Sequence, residues 1–180
     1  MNEIGNYRDL ITVYEAKQNN SQIIREKKFD ICGCVEQTKS RGIWSAYATT
    51  SEQFRIKTRL DDITLFDTLK WGDIDLWVHS IFEKELGFLE ILACRADISN
   101  FTLENNRFFG SLAEKYVKYE EPIEPYSEVQ QAMVLVVPKL VSLRAGELVK
   151  DDMNRCFVVH CPHELDTYKN EYEVFRRYDV

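Results

Sequence analysis

The feature that most constrains this chain is a strand-rich stretch, residues 54–97, whose pattern recurs in residues 134–179. The stretch contains segments in which apolar and polar residues alternate, or in which β-branched and aromatic residues cluster. These segments cover residues 54–59, 76–81 and 89–94. Glycine-containing turns separate them, at Gly72 and at Gly87. The pattern predicts a mainly β chain built from antiparallel hairpins.

The recurrence indicates a candidate internal repeat. A shift of 80 positions places Phe54 and Ile56 on Val134 and Val136 without gaps over the middle of the stretch. Two residues inserted in a later turn then bring the ends of the two stretches into line. Because β-proteins share alternation by default, chance similarity of two β-patterns is an equal alternative to duplication.

The rest of the chain predicts how these units are arranged. Two further strands are expected ahead of the repeat, in residues 9–14 and 28–35. Residues 107–119 carry apolar side chains at helical spacing, and the two prolines within residues 120–125 must end that helix. The predicted fold is mainly β, with two small antiparallel barrel-like units joined by a short helix. The expected boundaries are residues 1–98 for the first unit, 99–131 for a linker with the helix, and 132–180 for the second unit.

Composition disfavours several classes of protein. The net charge of −7 is spread evenly, with 13 basic and 16 acidic residues in 1–98 and 10 and 14 in 99–180. A protein that grips nucleic acid through its phosphates needs a basic patch or tail, which this chain lacks. The longest apolar run, residues 132–137, is far shorter than the roughly 20 residues of a membrane helix, and no secretion signal is recognisable.

Cysteine and histidine residues are the main candidates for chemistry. Cys32 and Cys34 lie two apart on a predicted strand. A second group lies in one later segment: Cys156, His160, Cys161 and His163. Thiolate and imidazole are preferred zinc ligands, so a zinc-binding module is one alternative. A Cys-x-Cys pair lacks the usual ligand spacing, so reduced, structural thiols are favoured, with no metal and no cofactor. We expect no enzyme, because no nucleophile is paired with a base.

A basic face is predicted on the strand that covers residues 54–59, where Arg55, Lys57 and Arg59 occupy alternate positions. Three like charges on one face of a strand repel each other unless acidic groups lie opposite. One reading pairs them within the sheet, and the candidate partners are Asp73, Asp75 and Glu90. The other reading makes them a subunit interface that contacts an acidic neighbouring subunit.

Residues 1–98 resemble a known family in the order and spacing of several pieces. These are residues 8–13, residues 34–44, residues 46–51 leading into 54–59, the loop at 63–64, Gly72 ahead of residues 76–81, and residues 89–94. The stretch is similar to the head-closure proteins of tailed bacteriophages, which are also called head–tail joining or stopper proteins. Two features depart from that family. The family's aromatic-acidic-glycine turn is replaced by residues 70–73, which read Lys-Trp-Gly-Asp, and 82 further residues follow the family's single small domain.

The resemblance implies a structural virion protein that is assembled in the host bacterial cytoplasm. Identical subunits would form a ring below the portal or an adaptor protein and above the tail proteins. Double-stranded DNA would pass through the middle without sequence-specific binding, and no membrane would be involved. An acidic ring would limit adhesion of DNA, although −7 is also an ordinary charge for solubility.

The resemblance also gives a role to the long connection in residues 36–53. The corresponding loop of the family lies toward the channel and takes part in closure or subunit packing. The residues implied for this channel and assembly loop are Lys39, Arg41, Trp44 and Tyr47. The alternative is a loop whose aromatic residues only cover the barrel end. Subunit contacts are expected through unpaired edge strands and loops. A tail terminator or tail adaptor is the alternative function within the structural class.

Overall fold

The computed structural model describes residues 8–38, 52–59, 61–84, 87–114, 132–165 and 167–177. These residues form strands and turns, and they contain no helix. The strands are β1 (Asp9–Asn19), β2 (Gln22–Thr38), β3 (Gln53–Arg59), β4 (Thr68–Trp71), β5 (Ile74–Lys84), β6 (Phe88–Ala96), β7 (Ile98–Leu103), β8 (Asn106–Glu114), β9 (Ala132–Pro138), β10 (Leu148–Asp151), β11 (Cys156–Leu165) and β12 (Lys169–Arg177).

The first six strands close into an antiparallel barrel. Their order around the ring is β1-β4-β5-β6-β3-β2, and pairing between β1 and β2 closes it. Alternate residues point inward and fill the barrel, as the sequence alternation predicts. On β3 these inward residues are Phe54, Ile56 and Thr58, all of which are buried. The predicted β-barrel character of the first unit is therefore confirmed.

The last six strands close into a second antiparallel ring. Their order is β7-β10-β11-β12-β9-β8, with pairing between β7 and β8 closing the ring. Its core is a separate apolar cluster that includes Phe101, Leu135, Phe157 and Val174. Adding six to each strand number of the first ring gives the order of the second, so the two barrels have the same topology.

The register of the strands also matches between the barrels. The pairing of β5 with β6 shifts between Val78 and Ser80, and the pairing of β11 with β12 shifts at the corresponding place, between Val159 and Cys161. These matched registers make Met133, rather than Val134, the counterpart of Phe54. A uniform shift of 80 therefore holds for β4 and β10 but is one residue off in the neighbouring strands.

A glycine occupies the same position in each barrel, where β2 and β8 pass close to the next strand. A Cβ atom on Gly33 would lie 3.0 Å from the carbonyl oxygen of Lys57. A Cβ atom on Gly110 would lie 2.7 Å from the carbonyl oxygen of Val136. Such a close approach of two backbones is a common reason for glycine inside a strand. The repeated barrel therefore repeats its tightest backbone contact.

The predicted helix is wrong over the part that the structure describes, because residues 107–114 belong to β8. Phe108 and Leu112 point into the second barrel, whereas Phe109 and Ala113 pack in the cluster between the barrels. A strand that is buried on both faces carries apolar residues at consecutive positions as well as at alternate ones. Some of these apolar residues then lie three or four positions apart, which is the spacing expected of an amphipathic helix. Apart from Ile98, strands β7 and β8 fall in the predicted linker, so the second barrel begins at Ile98.

The two barrels are joined tightly. Only Asp97 separates β6 from β7, and the start of β2 pairs in parallel with the start of β8. This parallel pair joins both rings into one continuous twelve-stranded sheet within the described residues. The hairpin of β1 and β2 reaches that point because it is longer than the corresponding hairpin of β7 and β8. Arg25 holds this arm to the first barrel by donating to Asp75 Oδ1 at 2.5 Å and Thr68 Oγ1 at 2.8 Å.

Candidate assembly interface

The predicted basic face lies on the outside of the first barrel. Because Phe54, Ile56 and Thr58 fill the barrel, the neighbouring side chains of Arg55 and Lys57 point away from the core. Arg59 is exposed at the end of the strand, and 44% of the Arg55 side chain is exposed. The sequence alternation therefore placed these residues on the correct face.

Glu90 is the acidic partner of this face. It lies opposite Lys57 in the register of β3 and β6, and its Oε1 is 4.0 Å from Nε of Arg55 and 3.7 Å from Nζ of Lys84. Asp75, another predicted partner, is instead bound by Arg25. Such half-exposed ion pairs contribute only up to about 1 kcal/mol each. The pairing reduces the repulsion between the cations and leaves the face basic.

Strand β2 continues the face beside β3. Cys34 lies opposite Lys57, and Glu36 lies opposite Arg55. Cys32 precedes them on the same side and is exposed. The outer face of β2, β3 and β6 thus combines small thiol side chains with a charged rim.

The second barrel has the same face, and there it is buried. The registers of β3 with β6 and of β9 with β12 make Arg55 equivalent to Val134 and Lys57 equivalent to Val136. Both valines are fully buried and pack in the cluster between the barrels. The face proposed from sequence as a contact surface is therefore the counterpart of a surface that already forms a contact inside the chain.

The contact between the barrels is centred on Trp77. Its ring stacks on Phe109 with centroids 6.1 Å apart, and its Nε1 donates to Ser111 Oγ at 2.8 Å. Cys94 and Ala96 of the first barrel pack in the same cluster. The sequence pattern alone did not single out these residues. The apolar run in β9, which is buried on both faces, was the signal that could have indicated such a contact.

Polar groups also lie in this contact. Lys169 and Glu171 of β12 are buried and act electrostatically on Cys94 of the first barrel. Burial raises the pKa of the Cys94 thiol to about 11, with a smaller opposing effect of Lys169. The thiol is therefore neutral at physiological pH and behaves as a small apolar group.

The cysteine and histidine candidates do not come together as a metal site. All five cysteines lie in the described part of the chain and are free thiols, and no group of three or more potential ligands forms among the described residues. Cys94 and Cys156 are buried, Cys34 and Cys161 are partly buried, and Cys32 is exposed. His160 is exposed and packs its ring edge-on against Phe175, with centroids 5.2 Å apart.

The predicted channel and assembly loop lies outside the described residues. The structure does not describe residues 39–51, which lie between β2 and β3. This range contains Lys39, Arg41, Trp44 and Tyr47. Their role in closure or subunit packing therefore stays a prediction.

No protein-family model matches the chain, and no curated protein or solved structure matches it either. Among the described residues, none forms a helix with the length and apolar character needed to span a bilayer.

Proposed function

We propose that this chain is a structural protein of a tailed bacteriophage virion. It assembles as a ring of identical subunits at the head–tail interface, as a connector or stopper below the portal, and it retains or passes DNA. Its action is steric and electrostatic, and it involves no bond making or breaking.

One observation carries the proposal: the segments that resemble head-closure proteins lie on successive elements of one closed barrel. Residues 8–13 lead into and occupy β1, residues 54–59 lie in β3, Gly72 forms the turn before β5, and residues 89–94 lie in β6. The order and spacing of the resemblance therefore follow a complete folding unit. The 82 additional residues contribute a second barrel of the same topology.

Closure of the two barrels favours subunit contact through surfaces other than strand edges. Within each ring, every strand pairs with a neighbour on both sides, so closure uses up most of the edges that were expected to join subunits. Outer faces of the barrels and loops are therefore the better candidates for contact. The basic outer face with Arg55, Lys57 and Arg59 is the surface that this proposal assigns to a neighbouring subunit.

A deletion of the gene in a phage that encodes it tests the proposal. We expect filled heads that lose their DNA and detached tails of normal length, because an unclosed portal releases its contents. Mass spectrometry of parental virions should find the protein in several copies. Its absence from virions, or normal infectious particles without the gene, would refute the proposal. Tails of irregular length with intact heads would favour the alternative function of tail terminator or tail adaptor.

The predicted channel and assembly loop gives a second test. Replacing residues 39–50 by glycine and serine should preserve cooperative unfolding, because the entropy of closing a loop grows only slowly with its length. Complementation with this variant should yield particles that leak DNA. The matched control inserts two glycines at the exposed turn of Gly72 and Asp73, and it should complement. Tight particles from the loop variant would refute the closure role, and an unfolded variant would make Trp44 and Tyr47 part of the core.

A further inference from the structure

The contact inside the chain joins two different faces. We call the outer surface of β5 and β6 in the first barrel, and of β11 and β12 in the second barrel, the donor face. In the first barrel it comprises Trp77, Cys94 and Ala96. We call the outer surface of β2 and β3 in the first barrel, and of β8 and β9 in the second barrel, the acceptor face. In the second barrel the acceptor face comprises Phe109, Ser111, Ala113, Val134 and Val136. The donor face of the first barrel covers the acceptor face of the second.

Because the barrels share topology and register, each also carries the other face. The acceptor face of the first barrel comprises Cys32, Cys34, Glu36, Arg55 and Lys57. The donor face of the second barrel comprises Val158, Phe175 and Arg177. Each chain therefore has one acceptor face and one donor face that lie outside the contact between its own barrels.

We propose that a second copy of this chain docks head to tail on the acceptor face of the first barrel. It presents the donor face of its second barrel, so the contact between chains copies the contact within the chain. Such a heterologous contact repeats until it closes into a ring or continues as a filament. The inference rests on the homo-oligomeric part of the proposed function, and it is independent of the location in a virion.

Val158 and Phe175 of the donor face fit this docking, whereas Arg177, which takes the place of Ala96, brings a further cation to the contact. Val158 takes the place of Trp77, and it would lie over Cys34, which takes the place of Ser111. Phe175 replaces Cys94 and would come beside Phe88, which replaces Lys169. Two aromatic rings thus meet where the contact inside the chain has a thiol beside an ammonium group. Aromatic pairs of this kind are favourable beyond the area they bury.

The charged rim of the acceptor face makes the contact between chains weaker than the contact between the two barrels of one chain. The buried Val134 and Val136 are replaced by Arg55 and Lys57, whose charged groups must keep solvent or an ionic partner. The contact within the chain is therefore permanent, whereas the contact between chains is reversible. Reversible docking suits a subunit that is stored as a monomer and assembles when neighbours are brought together.

Cysteine cross-linking tests the docking. The variant Val158→Cys, treated with a short bismaleimide, should give dimers and larger species in which residue 158 of one chain is linked to Cys32 or Cys34 of another. The triple variant Val158→Cys, Cys32→Ser, Cys34→Ser should lose these links. The matched control is Leu140→Cys, which replaces an exposed leucine in the turn after β9, two strands away from β11 around the second barrel. It should show no link from residue 140 to Cys34.

A second variant makes the acceptor face of the first barrel resemble that of the second. The double substitution Arg55→Val, Lys57→Val should strengthen self-association by roughly tenfold or more in sedimentation, since two apolar side chains replace two charged ones. It should also increase the yield of the link between residue 158 and Cys34. No such link in either background, or links of 158 to 158 or Cys34 to Cys34 only, would overturn the proposal.

The two proposals fail separately. Rings that form in virions without the link between residue 158 and Cys34 would overturn the head-to-tail contact and leave the virion function standing. If the link between residue 158 and Cys34 forms but the protein is absent from virions, the head-to-tail contact stands and the virion function is overturned.

Discussion

Nε1 of Trp77 in the first barrel donates a hydrogen bond to Oγ of Ser111 in the second barrel, at 2.8 Å. Both residues are buried, with 3% and 0% of their surface exposed. A buried indole N–H needs a partner, and this one finds it across the contact between the barrels. The hydrogen bond gives that otherwise apolar contact a fixed orientation.

The first prediction concerns this pair. Trp77→Phe keeps an aromatic ring on Phe109 but removes the indole N–H that donates the hydrogen bond. It should lower the free energy of unfolding by about 2 kcal/mol, because the smaller ring also loses packing contacts. Ser111→Ala should cost about 1 kcal/mol. A double-mutant cycle by urea unfolding should give a coupling of about 1 kcal/mol. Additive effects would show that the hydrogen bond contributes nothing to stability.

The second prediction compares the equivalent glycines. Gly110→Ala places a Cβ atom 2.7 Å from a backbone oxygen that cannot move aside, and it should lower the free energy of unfolding by about 3 kcal/mol. Gly33→Ala meets a carbonyl oxygen at 3.0 Å and a flexible Ile11 side chain at 3.1 Å, so about 1 kcal/mol is expected. Thermal unfolding of both variants measures the difference. A larger effect at Gly33 would contradict the geometry.

The third prediction follows from Cys94. Its folded-state pKa is raised to about 11 from the usual 9.0, mainly by burial. The neutral thiol therefore stabilises the fold fully below pH 9, and this contribution is lost as the pH rises toward 11. Compared with Cys94→Ala, the parent should lose about 2 kcal/mol of stability between about pH 8 and about pH 10.5. The same pH dependence in both proteins would show that the thiol is not desolvated.

The fourth prediction concerns the turn between β10 and β11. Only 2% of the Asp151 side chain is exposed, and it accepts hydrogen bonds from the backbone N–H groups of Met153 and Arg155 and from Arg155 Nε. Asp151→Ala leaves these donors without their acceptor and should cost about 3 kcal/mol in urea unfolding.

The neighbouring residue supplies the control for that experiment. Asp152 is exposed, pairs with Arg107 and accepts hydrogen bonds from the backbone N–H and Nδ2 of Asn100. Because water can replace the carboxylate at these exposed donors, Asp152→Ala should cost only about 1 kcal/mol. Equal losses at Asp151 and Asp152 would contradict the burial of the Asp151 carboxylate.

The sequence predicted the strands where one face of a strand is polar. In β3 the alternation of Phe54 and Ile56 with Arg55 and Lys57 identified the strand, its faces and its basic side. It failed in β8, because Phe108 and Phe109 are both buried, one in each of two cores. Hydrophobic pattern reports burial and cannot separate burial inside a barrel from burial between barrels.

The candidate interface was predictable only in part. Three like charges on one face of a strand pointed to Arg55, Lys57 and Arg59, and Glu90 was among the expected partners. The equivalence of Arg55 to Val134 could not be predicted, because a uniform shift of 80 aligns Arg55 with a different residue of β9. Register depends on turns of unequal length, and these become visible only when the strands are paired.

Asp97, the single residue between the two barrels, has a consequence for the size of any assembly. With one residue and a shared sheet between them, the barrels cannot rotate freely against each other, so the angle between them is fixed by the fold. If successive chains repeat that contact, each chain carries the curvature of the whole ring in its own backbone. The number of subunits is then set by the geometry of one molecule, before any second molecule arrives.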